Sequence, residues 1–226
     1  MDLPLRVHLF GRFRFERGSE AIRLSTRKVE LLLAYLVLNP GFHSRERTAA
    51  LLWGDSSDQS ARASLRNALA ILRREVDPDL LATDRQSVAL RADFPLWVDA
   101  LQFRSEARRF LDSPSSDHSR VPLDLYTDDL LVDFYEDWVL VERRGFRELY
   151  LDALLELTQQ LRSHTEYEDA RRFATLALHH DRANERAHQH LMFCHLAVGN
   201  RAAALRQFES CRAAMEEELG VEPSDA

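Results

Sequence analysis

Lysine is almost missing from this chain: Lys28 stands alone among 30 basic residues, the rest being arginine, which hints at a GC-rich coding sequence. Glycine and proline number only seven each in 226 residues, too few for collagen-like, linker-rich or many-turned β architectures. Two cysteines, Cys194 and Cys211, cannot make a disulfide framework and read as helix-packing residues. No apolar run approaches the ~20 residues needed to cross a bilayer. The start, Met1-Asp2-Leu3-Pro4, lacks the basic segment and apolar stretch of a secretory signal. A cytoplasmic protein with no membrane partner is expected.

Catalytic signatures are missing as well. There is no GxxxxGK(S/T) phosphate loop, no GxSxG elbow, no GxGxxG and no HExxH. Carboxylates such as Asp133, Glu136, Asp137 and Glu216 to Glu218 read as solvated helical faces. Neither enzymatic activity nor a cofactor is expected. Histidines crowd one region (His179, His180, His188, His190 and His195), but adjacent or i,i+2 histidines on a helix point to different sides, and no CxxC or carboxylate–His spacing completes a metal site. Structural histidines are the better reading, and no metal is expected.

What is present is an ordinary globular balance, with 45% hydrophobic and 30% charged residues. The length suffices for one large domain or two small ones. A net charge of −7 conceals an asymmetry: residues 1–95 hold 15 basic against 12 acidic residues, a balance of +3, and residues 96–226 carry −10. A basic half joined to an acidic half suggests an anion-binding module attached to something else, with chance variation between two domains as the bland alternative.

Along the chain, Leu5, Val7 and Leu9 alternate with Arg6, His8 and Phe10; Phe13-Arg14-Phe15, a turn over 16–20 and Ala21-Ile22-Arg23-Leu24 complete a short antiparallel sheet. Ser25 or Thr26 then caps a helix on which Val29, Leu32, Leu33 and Leu36 recur, stopped by Asn39-Pro40-Gly41. Ser44 caps a second helix ending near Leu52-Trp53. A third runs from Asp58 to about Val76 with Leu65, Ala68, Leu69 and Leu72 on its buried stripe. Leu80–Thr83, a polar tip at Asp84-Arg85-Gln86-Ser87 and Val88–Leu90 read as a β-hairpin. This order is that of a winged helix-turn-helix with an added N-terminal sheet, as in OmpR-type DNA-binding domains. A boundary near Asp93-Phe94-Pro95 divides the chain into a winged-helix domain, 1–95, and an all-α domain, 96–226. Helices are expected at about 98–112, 128–140 and 142–164, with a Ser-, Asp- and Pro-rich loop over 113–122. From Leu151 a 34-residue period superposes Leu157 on Leu191 and Ala170 on Ala204, the tetratricopeptide spacing, with a generic helical hairpin pair as the alternative. The fold class is mainly α with a small β component.

The third helix carries the chemistry. Opposite its apolar stripe lie Gln59, Arg62, Arg66, Asn67, Arg73 and Arg74. Arginine forks onto guanine O6 and N7, Asn or Gln onto adenine N6 and N7, and a helix fits the major groove. A solvated face is the alternative, but only Asp58 and Glu75 flank the helix as pairing acids. Arg85 and Gln86 at the hairpin tip are placed to touch DNA backbone or minor groove. Arg45 and Arg47, at the start of the second helix, are placed to meet phosphate.

Leu51-Leu52-Trp53-Gly54-Asp55 before a helix with Ala61-Arg62 and Leu72-Arg73-Arg74 resembles the antibiotic regulatory protein (SARP) family of bacterial transcription activators. The second half is similar to the bacterial transcriptional activator domain: Leu125-Tyr126 and Asp129-Leu130-Leu131, then Trp138-Val139-Leu140 and Glu142-Arg143-Arg144, then Leu191-Met192, Gly199-Asn200-Arg201, Ala204-Leu205 and Glu218-Leu219-Gly220-Val221-Glu222-Pro223-Ser224. The resemblance implies a DNA-binding activator that recruits RNA polymerase to promoter repeats. Its tetratricopeptide-like domain would support a homodimer or a cooperative dimer on double-stranded DNA. By matching positions it implies that Arg62 and Arg66 lie in the major-groove helix, Arg73 and Arg74 at its far end and Arg85 at the wing. The hairpin is short for a wing, which departs from the family pattern. No receiver domain precedes the winged helix, so phosphorylation is not indicated as an input. A protein-interaction adaptor, whose winged helix leaves DNA alone, is the competing function, and the modest +3 favours it.

Overall fold

The computed structural model describes residues 5–113 and 123–224, so the loop expected over 113–122 lies, past Ser113, outside the described residues. The chain forms two compact units. The first runs to Gln102 and takes in Leu130–Tyr135; the second comprises Phe103–Asp129 and the chain from Glu136 onward.

In the first unit, β1 (Leu5–His8), β2 (Arg14–Arg17) and β3 (Glu20–Ala21) form the expected antiparallel meander. Leu5 and Val7 are buried while Arg6 is exposed, the period-2 pattern of a sheet with one solvated face. Thr26 caps α1 (Arg27–Leu38), its hydroxyl accepting from the Val29 N–H at 3.3 Å. Ser44 caps α2 (Arg45–Leu52) and Ser57 caps α3 (Asp58–Glu75) in the same way. Helix α1 buries eight residues, Val29, Leu31–Leu33, Ala34 and Leu36–Leu38, and α3 closes on it with Ala61, Leu65, Ala68, Leu69 and Leu72. Each fully buried leucine here contributes roughly 1.5–3 kcal/mol. The hairpin of β5 (Leu81–Thr83) and β6 (Ser87–Leu90) gains a third strand, β4 (His43–Ser44), in the order β4-β6-β5.

Two features of this unit depart from the sequence reading. Leu96–Val98, at the start of the expected helical half, is a strand, β7, pairing parallel with β1 so that Leu5 faces Leu96 and Val7 faces Val98. Three residues after a proline are too short to show a period. The buried Asp99, which opens α4 (Asp99–Asp112), accepts hydrogen bonds from the N–H groups of Leu9 (2.8 Å), Phe10 (3.1 Å) and Ala100 (2.6 Å). Burial pushes its carboxyl up from the ordinary value while those three donors pull it down.

The second departure is the helix expected over 128–140, of which only Asp137–Leu140 is helical, as the start of a longer helix. A single 3-10 turn, Leu123–Leu125, is followed by a non-helical Leu130–Tyr135 that packs on the first unit's sheet. The Leu131 and Val132 N–H groups donate to the carbonyls of Leu9 (2.8 Å) and Gly11 (3.0 Å), and Leu130, Leu131 and Phe134 are buried. Leu131 takes a left-handed φ of 49°. The apolar spacing that reads as a helix stripe belongs to the first unit's core.

The second unit is helical. Helix α5 runs unbroken from Asp137 to Ser163, where a break near Val141 was expected, and is followed by α6 (Tyr167–His180), α7 (Glu185–Ala197) and α8 (Arg201–Leu219). Each packs on the next, and α5 also meets α7. The 34-residue offset is visible in the core: Leu157 and Leu191 are both buried, as are Ala170 and Ala204. Ala170, Ala174 and Ala177 are wholly buried along α6, letting neighbouring helices approach closely. Cys194 and Cys211 are free and buried. His188 is bonded to Gln207 and to the Arg182 carbonyl, His190 accepts from Arg162, and His180 packs edge-on against Tyr126 and Tyr150.

Candidate nucleic-acid interface

Helix α3 presents a polar arc because its apolar residues recur every three or four positions and are consumed by α1 and α2. At 100° per residue, Gln59, Arg62, Arg66 and Arg73 share a stripe about 60° wide, with Asn67 and Arg74 on its flank. All six are exposed except Arg73, which is half-buried.

Three elements converge beside this stripe. A groove of about 540 Å³ is lined by Arg45 and Glu46 from the first turn of α2, Arg62 and Arg66 from α3, and Arg85 and Gln86 from the hairpin tip. The tip is fixed by Asp84, whose carboxylate accepts from the N–H groups of Gln86 (2.7 Å) and Ser87 (2.6 Å) and from the Ser87 hydroxyl (2.7 Å). The Ser87 hydroxyl above all, with those two N–H donors, holds the Asp84 carboxyl below the ordinary carboxylate range. The tip is tied to α2 by the Arg45 N–H, which donates to the Gln86 carbonyl at 2.8 Å, and by the Arg45 guanidinium, which donates to the Asp84 carbonyl at 3.2 Å. Arg85 and Gln86 are thus held out on a bonded turn.

The groove gathers four arginines and one carboxylate. Arg62 donates to Glu46 at 2.7 Å. Among the described residues, no hydrogen bond or ion pair engages the guanidinium groups of Arg66 and Arg85. Such an arrangement has the charge to suit a polyanion, and its guanidinium forks match planar acceptors.

The other sequence-selected residues lie outside the groove. Gln59 and Asn67 remain on the exposed arc, and Arg47 is exposed in the first turn of α2. Arg73 donates to the Thr83 hydroxyl on β5, clasping the helix to the hairpin. Arg74 donates to Glu75 at 3.0 Å. Glu75 also accepts from Ser25, whose hydroxyl is the main reason its carboxyl sits below the ordinary range.

Two site residues escaped the sequence reading. Glu46 corrects the view that only Asp58 and Glu75 flank these arginines, because its partner is 16 residues away and searching α3 alone could not reveal it. Asp84 was legible in principle, since Asp at the first position of a tight turn characteristically accepts from the backbone two residues on. Between α2 and α3 the turn at Gly54 is close-packed: a Cβ there would meet the Ala50 carbonyl oxygen at 2.9 Å. Among the described residues no cluster of three or more His, Cys, Asp or Glu is placed to hold a metal, and no helix is long and apolar enough to cross a membrane.

Comparison with known proteins places this geometry in context. The family model of the bacterial transcriptional activator domain matches residues 98–226. The regulatory protein AfsR of Streptomyces coelicolor is 27% identical over 231 residues, covering 97% of this chain and 23% of AfsR, so the chain spans about a quarter of that relative's length. A solved structure of Mycobacterium tuberculosis EmbR, in complex with a low affinity phosphopeptide, aligns with a TM-score of 0.84 at 18% identity. It covers 98% of this chain and 62% of that one, a likeness of fold.

Proposed function

We propose that this chain, which belongs to the bacterial transcriptional activator domain family, is a SARP-type transcriptional regulator that binds promoter DNA through its first unit and recruits RNA polymerase with the help of its second. The observation that carries the DNA-binding reading is the groove in which Arg45, Arg62, Arg66 and Arg85 meet from three separate elements. In this reading residues 1–95 supply a winged helix-turn-helix. Helix α3 enters the major groove and α2 crosses the backbone. Arg66, with Asn67 and Gln59 beside it, faces base edges. Arg45, Arg47 and Arg85 neutralise phosphates, Arg45 and Arg47 at the positive end of the α2 dipole. Within residues 96–226, helices α5 to α8 supply a tetratricopeptide-like stack that supports a dimer on repeated sites in the cytoplasm.

Charge reversal tests this. Arg62→Glu together with Arg66→Glu should abolish binding to a promoter duplex while leaving the helical content and melting temperature of the chain near those of the wild type. Unchanged DNA binding would refute the assignment of the groove. If the wild-type chain binds no duplex at low salt yet captures a protein partner, the adaptor function replaces the activator.

A further inference from the structure

Glu46 is the one carboxylate lining a groove that otherwise suits a polyanion. It stands in the first turn of α2 and accepts from Arg62 Nη2 at 2.7 Å. The pair is open to solvent, with side-chain exposures of 72% for Glu46 and 59% for Arg62, so it adds little to folding. A negative charge at this point also repels phosphate. Its consequence lies in what it does to Arg62.

A guanidinium has five N–H donors in a rigid fork. Glu46 engages Arg62 through one of them, on Nη2, which restrains the group and leaves the remaining donors directed elsewhere. If Arg62 turns to a phosphate, Glu46 loses its partner and is left beside an anion. If Arg62 instead meets the O6 and N7 of a guanine, both uncharged, the carboxylate keeps its bond on the other edge and steadies the fork. Binding at sites offering only backbone is weakened, and binding where a guanine faces Arg62 is not. Arg85, with no carboxylate partner among the described residues, is left to phosphate.

We propose that Glu46 is a positioning residue that converts Arg62 from a phosphate contact into a base-reading one, and so sets how sharply this chain distinguishes its site from other DNA. The proposal rests on the DNA-binding reading above.

The test uses the full chain and a duplex recovered by it from a randomised library, with a scrambled duplex as reference. Binding is followed by fluorescence anisotropy across a salt series for the wild type, Glu46→Gln, Arg62→Ala and the double variant. Glu46→Gln keeps the side-chain shape and should leave the melting temperature unchanged. It should bind the scrambled duplex on the order of threefold tighter, with a log–log salt slope steeper by about 0.9, the signature of one further phosphate contact. Affinity for the selected duplex should hold or fall, so the ratio between duplexes shrinks. In the Arg62→Ala background the same substitution should move both duplexes by one common factor. A common factor with Arg62 present, or an equal loss of discrimination without it, would overturn the proposal while leaving DNA binding intact. Failure of the wild type to enrich any duplex or to bind DNA at all would instead overturn the DNA-binding reading, and this proposal with it.

Discussion

Arg66 and Arg73 lie seven residues apart on one stripe of α3, yet their surroundings give them different tasks. Arg66 lines the groove without a partner among the described residues, whereas Arg73 is half-buried and donates to Thr83. Arg66→Ala should weaken binding to a selected duplex by about 1–3 kcal/mol, more than to a scrambled one, in an anisotropy titration. Equal losses on both would make Arg66 a backbone contact. Arg73→Ala should instead lower the chain's thermal stability by about 1 kcal/mol, read as a lower melting temperature, with less effect on DNA binding. Helical periodicity placed both arginines on one arc of α3 because it fixes direction. It does not reveal what a neighbouring hairpin or helix brings within reach, which is why Thr83 and Glu46 appeared only in three dimensions.

Caps and buried stripes made the three helices of the first unit legible to within a residue or so: Thr26, Ser44 and the Leu65–Leu72 stripe say where helices begin and which face they bury. Two of the failures share a cause. Leu130, Leu131 and Phe134 have helical spacing but are spent on the first unit's sheet, a long-range use that local periodicity cannot report. β7 was missed for the same reason, since a three-residue strand is defined by its partner β1 and not by its own pattern. Leu130 is wholly buried, so Leu130→Ala should destabilise the first unit by about 2–5 kcal/mol. Denaturant unfolding should show the loss as a lower midpoint, and a midpoint within error of the wild type would contradict a core role for Leu130. At the hairpin, Asp84→Ala should loosen the tip and weaken DNA binding without unfolding the helices, measured as a lower affinity at unchanged helical circular dichroism.

The whole chain divides its charge: the part that would meet DNA is basic, and the helical remainder carries the acidic excess. The helical unit also carries a pH dependence. Burial, with Arg162 and Arg186 nearby, lowers the His190 imidazole from 6.5 to about 4. In the unfolded chain it titrates near 6.5, so between those two values protons bind the unfolded state preferentially. Stability present above pH 6.5 is therefore lost as pH falls toward 4, by at most about 3 kcal/mol. His180 and His195, both lowered chiefly by burial, act in the same direction. Melting temperatures at pH 7.5 and 5.0 should differ, and His190→Gln should narrow the gap; an unchanged gap would assign the acid loss to other groups. For the molecule as a regulator, the most direct measurement is a salt titration of binding to a library-selected duplex and to its scrambled counterpart. Sequence-dependent binding that weakens steeply and linearly in log salt is the result the arginine groove predicts. Binding that ignores sequence, or is absent from both duplexes at low salt, would contradict it.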